Sequence, residues 1–366
     1  MLLTSRLSKS LEREIAKAGN PIELACLKAQ RAILLMRHGH LPEAREVLTA
    51  LHQQAFQYPN PALGAWLHLA EGLMSYYTDF SSSARDKVLR AHAISRSAGM
   101  RPLQALSAAW LAHIHFAEHQ LEPMALYLAE TLRLAAPDQH AARSRACMVA
   151  AQGYHFADRM GQASSWYMRA RTHANAEGDD ATLSHLIHNM AQLRTAQARR
   201  AHLTGRPTAA DGGLMLGADS IQHYDEAVGG SAMEGLVPIL RAQVLVVEGD
   251  FAGAQALYEE HLPRAMSLGL ARLGSSLLAD LAWCRVNTGQ AEHALRQAHE
   301  SEVELDPDCD VDDRAATHAR LAQVYTALGD SAAARRHTDL AETAWLEFGV
   351  QQRQWATALD EGLAGL

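Results

Sequence analysis

Three evenly spaced glycines constrain this chain more than any other feature. Gly249, Gly289 and Gly329 lie 40 and 40 residues apart, each between two amphipathic stretches, and each is followed five residues later by an alanine: Ala254, Ala294 and Ala334. The pair recurs near the N-terminus as Gly39 and Ala44, and Ala84 and Ala125 continue the period. Self-similarity at such a period marks one structural unit stacked many times rather than a set of unrelated domains. Glycine ends a helix in the left-handed conformation without a Cβ penalty, and a small residue shortly afterwards lets the next helix cross closely. The repeating unit is therefore an antiparallel helical hairpin.

The last unit shows the pattern most plainly. Its first helix carries Ala319, Leu321, Ala322, Val324, Tyr325 and Leu328 on one stripe, and its second carries Ala334, His337, Leu340, Ala341, Ala344 and Trp345. Extending the frame places hairpin turns near Gly39, Asp79, Gln120, Gly161, Gly205, Gly249, Gly289 and Gly329. Breaks between hairpins fall near Pro59, Gly99, Pro137, Gly178, Gly229, Gly269 and Pro307. This predicts an all-α superhelix of about eight stacked antiparallel hairpins. Leu203 to Gly217, with Gly205, Pro207, Gly212, Gly213 and Gly217, reads as a long loop inside the fifth hairpin. Residues 1–350 form the superhelix, and residues 351–366 supply a separate capping helix, Gln351 to Leu363, over the exposed face of the last repeat.

These residues resemble the tetratricopeptide repeat family. In the last repeat Leu321, Ala322, Tyr325, Gly329, Ala334 and Ala341 fall on the family's small and large signature positions. Gly249, Ala254 and Tyr258 match in one earlier repeat, and Leu281, Ala282, Gly289 and Ala294 in the next. The period of about 40 departs from the usual 34. It is similar to the longer-helix variants of bacterial signalling proteins and of the sensor regions of maltose-activator-like regulators. The resemblance implies a fold more than an activity.

Charge and cysteine content narrow the function classes. Lys and Arg total 33 against 41 Asp and Glu, a formal net charge of −8, which disfavours a general grip on nucleic acid or an anionic membrane. The excess is local: residues 300–313 hold Glu300, Glu302, Glu304, Asp306, Asp308, Asp310, Asp312 and Asp313 with no basic residue. The basic residues are overwhelmingly Arg, with only Lys9, Lys17, Lys28 and Lys87 as lysines, a bias that points to GC-rich coding and a bacterial source. Cys26, Cys147, Cys284 and Cys309 form no C-x-x-C and read as reduced thiols. No apolar run reaches the roughly 18 residues of a membrane span, and the polar start of the chain carries no cleavage signal, so a cytoplasmic location is expected.

Motifs of chemistry are few. His115-Phe116-Ala117-Glu118-His119 matches an H-x-x-E-H zinc signature, in which two histidines one helical turn apart hold the metal beside a glutamate base. A histidine at a helix C-terminus explains the same string more simply. Asp306, Asp308, Asp310 and Asp312 imitate the alternating ligands of a calcium loop, but Val311 replaces the turn glycine and Thr317 the bidentate glutamate. Asp312 and Asp313 suit the start of a helix. Arg194, Arg199, Arg200 and Arg206 form a modest basic group without interleaved aromatics. No nucleophile elbow, phosphate-binding loop or dinucleotide fingerprint is present.

In the family that the sequence resembles, the first helices of successive hairpins line a concave groove. Carried over, counting back from each turn, the groove positions are Trp66, Tyr76, Trp110, His155, Arg159, Gln192, Arg199, Gln243, Trp283, Asn287 and Gln323. Aromatic rings give such a lining contact area, while amides and arginines satisfy a peptide's backbone and charges. The expected function is a non-enzymatic scaffold for a protein or peptide partner, without cofactor, bound metal or direct nucleic-acid contact. A second reading is a regulatory sensor that responds to a small molecule or peptide and controls a partner protein. A zinc hydrolase built on His115, Glu118 and His119 is the remote third.

Overall fold

The structure is a computed structural model that describes residues 5–79, 82–206, 213–228, 236–270 and 273–366. Among the described residues the chain forms seventeen α-helices and no strand. They are α1 (Arg6–Lys17), α2 (Pro21–Arg37), α3 (Leu41–Gln57), α4 (Pro61–Asp79), α5 (Ser82–Ser97), α6 (Arg101–Ala117), α7 (Leu121–Leu134), α8 (His140–Phe156) and α9 (Met160–Glu177). There follow α10 (Asp180–Leu203), α11 (Leu214–Val228), α12 (Val237–Glu248), α13 (Phe251–Ala265), α14 (Gly274–Asn287), α15 (Ala291–Val303), α16 (Val311–Leu328) and α17 (Ser331–Gly362). A π-helical segment, Met266–Leu270, continues α13. No helix among the described residues is long and apolar enough to cross a membrane.

The glycine frame is visible in the backbone. Gly39, Gly249, Gly289 and Gly329 have φ of 85°, 85°, 78° and 83°, the left-handed geometry in which an L side chain meets the following carbonyl. The paired alanines Ala44, Ala254 and Ala294 are fully buried. Where α4 crosses α5 the approach is closer still: a Cβ on Gly72 would stand 2.6 Å from Val88 Cγ2 and 3.0 Å from the Ala84 carbonyl.

Three boundaries differ from expectation. The turn assigned to Gly161 lies earlier, because Asp158 takes the left-handed conformation at φ 59° and Gly161 is inside α9; aspartate is among the few non-glycine residues that tolerate it. The loop expected to run to Gly217 ends by Leu214, where α11 begins, and its residues 207–212 lie outside the described residues, as does the break expected at Gly229. Finally, Gln351 to Leu363 is not a helix of its own. It is continuous with α17, which contains no proline, and the single Gly349 costs a helix only about 1 kcal/mol.

The packing gathers the chain into two compact units: Met1–Leu186 with Tyr224–Ala232 and Gln354–Leu366, and Ile187–His223 with Met233–Arg353. In the first unit α2 packs on α3 and α4, α4 on α5, α6 on α7 and α8, and α8 on α9. Leu51, Leu63, Leu69, Leu73, Val88 and Leu111 fill its core. The end of α17 adds Trp355 and Leu359, and Leu363 follows just beyond it, all three buried at one-turn spacing. Trp355 meets Phe116 and Phe156 at ring centroid distances of 5.4 and 5.0 Å, and Leu359 lies over Gly153. Full burial of one such leucine is worth about 2 kcal/mol. This stripe thus packs on α6 and α8.

In the second unit α12 packs on α13, α13 on α14, and α14 on α15 and α16. Ile239, Tyr258, Leu277 and Leu281 form one part of its core, and Leu321, Val324 and Tyr325 pack with Ala333 and Ala334 in another. Ala191, Ala218, Ile221, Val237 and Leu240 join α10, α11 and α12.

Candidate functional site

The eleven residues expected along the groove fall into distinct surroundings. Trp66, Tyr76, Gln243, Trp283 and Gln323 are half-buried, while Arg159, Gln192 and Asn287 are exposed. Trp110, His155 and Arg199 are buried at 3%, 8% and 6% exposure and belong to packed interiors. Arg159 stands in the turn before α9, and Asn287 turns back to donate to the Trp283 carbonyl at 2.8 Å. Two groups converge: Tyr76 with Trp110 in the first unit, and Arg199, Trp283 and Gln323 in the second.

Each convergence surrounds buried arginine. In the first unit α2 delivers Arg37 at its last turn, and Asp179 stands immediately before α10. Asp179 Oδ1 accepts the Thr182 backbone N–H at 3.0 Å, the geometry of an N-cap, and both its oxygens accept from Arg37 Nη2 at 2.8 and 2.7 Å. Burial alone would raise the Asp179 carboxyl; the Arg37 charge and the Thr182 donors outweigh it and hold the group below the usual range.

Arg145 of α8 has no such partner. It is 6% exposed, its guanidinium carbon lies 3.8 Å from the centre of the Trp110 ring, and it makes no hydrogen bond or ion pair among the described residues. A guanidinium does not deprotonate in a protein, and a cation–π contact returns only about 2 kcal/mol when desolvated. Tyr76 is 2.8 Å from His113 Nε2, while His113 Nδ1 is buried without a partner. Burial first, then the charges of Arg145 and His185, push His113 well below its ordinary pKa.

In the second unit α10, α14 and α16 bring Arg199, Asp280 and Arg320 together. Asp280 and Arg320 stand one 40-residue period apart, at equivalent positions on neighbouring helices. Arg320 Nε donates to Asp280 Oδ1 at 2.7 Å, and Arg199 Nε lies 2.9 Å from Oδ2. Gln323 Oε1 accepts from Arg320 at 2.6 Å, Ser276 Oγ accepts from Arg199 at 2.8 Å, and the Trp283 ring lies 5.6 Å from the Arg320 guanidinium. Arg320 and Asp280 are fully buried. Burial opposes ionisation of Asp280, and the two arginine charges overcome it.

The zinc signature comes apart. His119 has φ 54° and lies beyond the end of α6, so the two histidines do not share a helix face. His115 Nδ1 is 2.7 Å from Gln120 Oε1, and Glu118 accepts from Arg85 at 2.6 Å. Among the described residues no group of three His, Cys, Asp or Glu is placed to hold a metal ion, in the acidic run or elsewhere. Asp306 instead accepts the Asp308 backbone N–H, and Asp312 and Asp313 occupy the first turn of α16. All four cysteines are free, and burial pushes Cys147 and Cys284 up to about 12. The basic group divides: Arg194 and Arg206 are exposed, Arg199 is buried, and Arg200 donates to Gln352.

Sequence reasoning missed Arg37, Arg145, Asp179 as an ion-pair partner, Asp280 and Arg320. The signal was available as charged residues within stripes whose neighbours are alanine and leucine, such as Arg145 before Ala146, Cys147, Met148 and Val149. A shallow depression on α3 lined by His52, Gln53, Ala55, Phe56 and Gln57 was likewise unforeseen. Compared with known proteins, the chain matches no protein-family model and no curated protein.

Proposed function

We propose that this protein is a non-enzymatic, cytoplasmic binding scaffold, a superhelix of about eight tetratricopeptide-like hairpins that receives a protein or peptide along its first helices. The observation that carries the reading is the pairing of repeat geometry with polar and aromatic residues that the packing leaves half-buried or exposed. Tyr76, Gln192, Gln243 and Asn287 stand on first helices, α4, α10, α12 and α14. The buried carboxylates Asp179 and Asp280 are committed to arginines. Recognition by a few anchors among near-neutral contacts suits such a surface.

Selection from a random peptide library on the purified chain tests the reading. Enriched peptides are expected to bind in the micromolar range, about −8 kcal/mol, and to lose affinity on Gln192→Glu or Asn287→Glu, both at exposed positions. An unenriched library, or peptides indifferent to both substitutions, would remove it. The sensor reading draws support from one feature, the unpaired Arg145, which is pursued next.

A further inference from the structure

We infer that the cluster around Arg145 is the receptor for an oxyanion, the carboxylate or phosphate group of a small molecule. This goes beyond the partner-binding surface, since it concerns the interior of the first unit.

The Arg145 guanidinium is bonded to no protein acceptor among the described residues, and none of its nitrogens is sealed from solvent without a partner. One face of Arg145 is covered by Trp110 at 3.8 Å, while its N–H edge finds no oxygen among the described residues. The charges that act on it do not supply one: Arg37 repels it, and both oxygens of Asp179 already accept from Arg37. The phenols Tyr76 and Tyr77 and the imidazole of His113 also act on or feel its charge. If Tyr76 donates to His113 Nε2, then Nδ1 carries the proton and is a second buried donor without an acceptor. A carboxylate or phosphate answers both deficits, because it takes two N–H groups of a guanidinium at once and neutralises the surplus charge. Tyr76 and Tyr77 are half-buried, so the cluster extends to the surface of the unit, and their rings suit a ligand with an apolar body.

Arg320 in the second unit provides the internal control. It is also buried and also near a tryptophan, yet it donates to Asp280 and Gln323. Its carboxylate is built in although its Nη2 is buried without a partner, whereas no Arg145 nitrogen is sealed off in that way and its N–H edge is open to an anion from solution.

Calorimetric titration of the full chain with benzoate, citrate and inorganic phosphate, each to about 10 mM at matched ionic strength, tests the inference. At least one anion is expected to bind one to one. Arg145→Gln should weaken it by at least about tenfold with the far-ultraviolet dichroism unchanged, and Arg145→Lys, which keeps the charge without the fork, should weaken it less. Arg241→Gln, at the surface, should leave binding as it was. Binding of the carboxylates alone or of phosphate alone identifies which group the site takes. Three flat titrations, or equal affinity in Arg145→Gln, overturn the assignment. Should Arg145→Gln fail to fold, Arg145→Met supplies the reading: it is expected to raise the thermal midpoint without anion and to abolish any rise caused by anion, whereas a lowered midpoint with the anion response intact assigns Arg145 to structure. Peptide selection is independent of these outcomes, so the scaffold and the anion site fail separately.

Discussion

The two units bury the same charges in the same ratio and arrange them differently. The first holds Arg37, Arg145 and Asp179, and the second holds Arg199, Arg320 and Asp280. In the second unit both arginines share the carboxylate, and glutamine and serine oxygens take up further N–H groups. In the first, Arg37 monopolises Asp179 and Arg145 rests on an aromatic face. A shared network spreads its surplus charge over fixed acceptors and ties three helices together. A guanidinium that rests on a ring face ties fewer helices, so the same composition gives a joint in one unit and an N–H edge unbonded to protein in the other.

The comparison breaks most visibly at the carboxylates. Asp280→Asn removes the charge that holds two buried arginines, and a loss of about 3–5 kcal/mol is expected. Asp179→Asn strands one arginine, and asparagine remains a good N-cap, so the expected loss is smaller, about 2–3 kcal/mol. Urea unfolding of the two variants, with hydrogen exchange to locate the loss in each unit, makes the measurement. Equal losses would mean that sharing a carboxylate has no energetic meaning here.

Acid should act on both units alike, which separates histidine effects from arginine effects. Burial lowers His38 in the first unit and His188 and His318 in the second to about 4, while the unfolded chain titrates near 6.5. The unfolded state therefore binds more protons between these values, so stability is complete above about pH 6.5 and falls as pH drops toward 4. Each of these histidines is expected to contribute a loss of about 1–2 kcal/mol between pH 7 and 5. A urea midpoint that stays constant across that range would show that the three rings are solvated, and a loss confined to one unit would assign the acid response to that unit's histidines.

The hairpin frame was readable because it depends on local chemistry. Gly249, Gly289 and Gly329 require left-handed backbone, and Ala254 and Ala294 require a close crossing; both demands are met by one residue each and repeat with the unit. Turns made by Asp158 and His119 were harder to place, since a left-handed aspartate or histidine looks like any other polar residue. The end of α17 was misread for another reason. Trp355, Leu359 and Leu363 announce an apolar stripe, but nothing local says that the counterpart of Trp355 is Phe116 and Phe156, 239 and 199 residues earlier. The arginine clusters lie between these cases. Position one period apart foretells that Asp280 and Arg320 are neighbours, whereas the pairing of Arg37 with Asp179 spans 142 residues and has no periodic signal.

Replacing arginines by methionine sharpens the contrast into opposite signs. Arg320→Met strips a donor from Asp280 and from Gln323, and a loss of about 2 kcal/mol follows from the acceptors left buried. Arg145→Met leaves no acceptor unpaired, keeps an apolar body against Trp110, and removes an ion that the fold does not satisfy. A gain of about 1 kcal/mol in the absence of anion is expected. Denaturation midpoints of the two variants decide the matter, and destabilisation by both would show that Arg145 is as structural as Arg320.

The smallest expected effect calibrates the others. Each unit also carries an arginine pair at its surface: Arg31 with Glu12 and Arg241 with Asp219, both at 2.6 Å and with side chains roughly a third to two-fifths exposed. The distances match those in the buried clusters, so any scheme that ranks ion pairs by length predicts comparable losses. Solvent screens these pairs, and both partners regain hydration when separated, so Arg31→Gln and Arg241→Gln should each cost about 0.5 kcal/mol or less and lose even that at high salt. The salt dependence is the sharper readout, because the fully buried Arg320–Asp280 pair is shielded from it. If Arg241→Gln proved as costly as Asp280→Asn, the contrast between the units would be a matter of which pairs exist rather than of where they are buried.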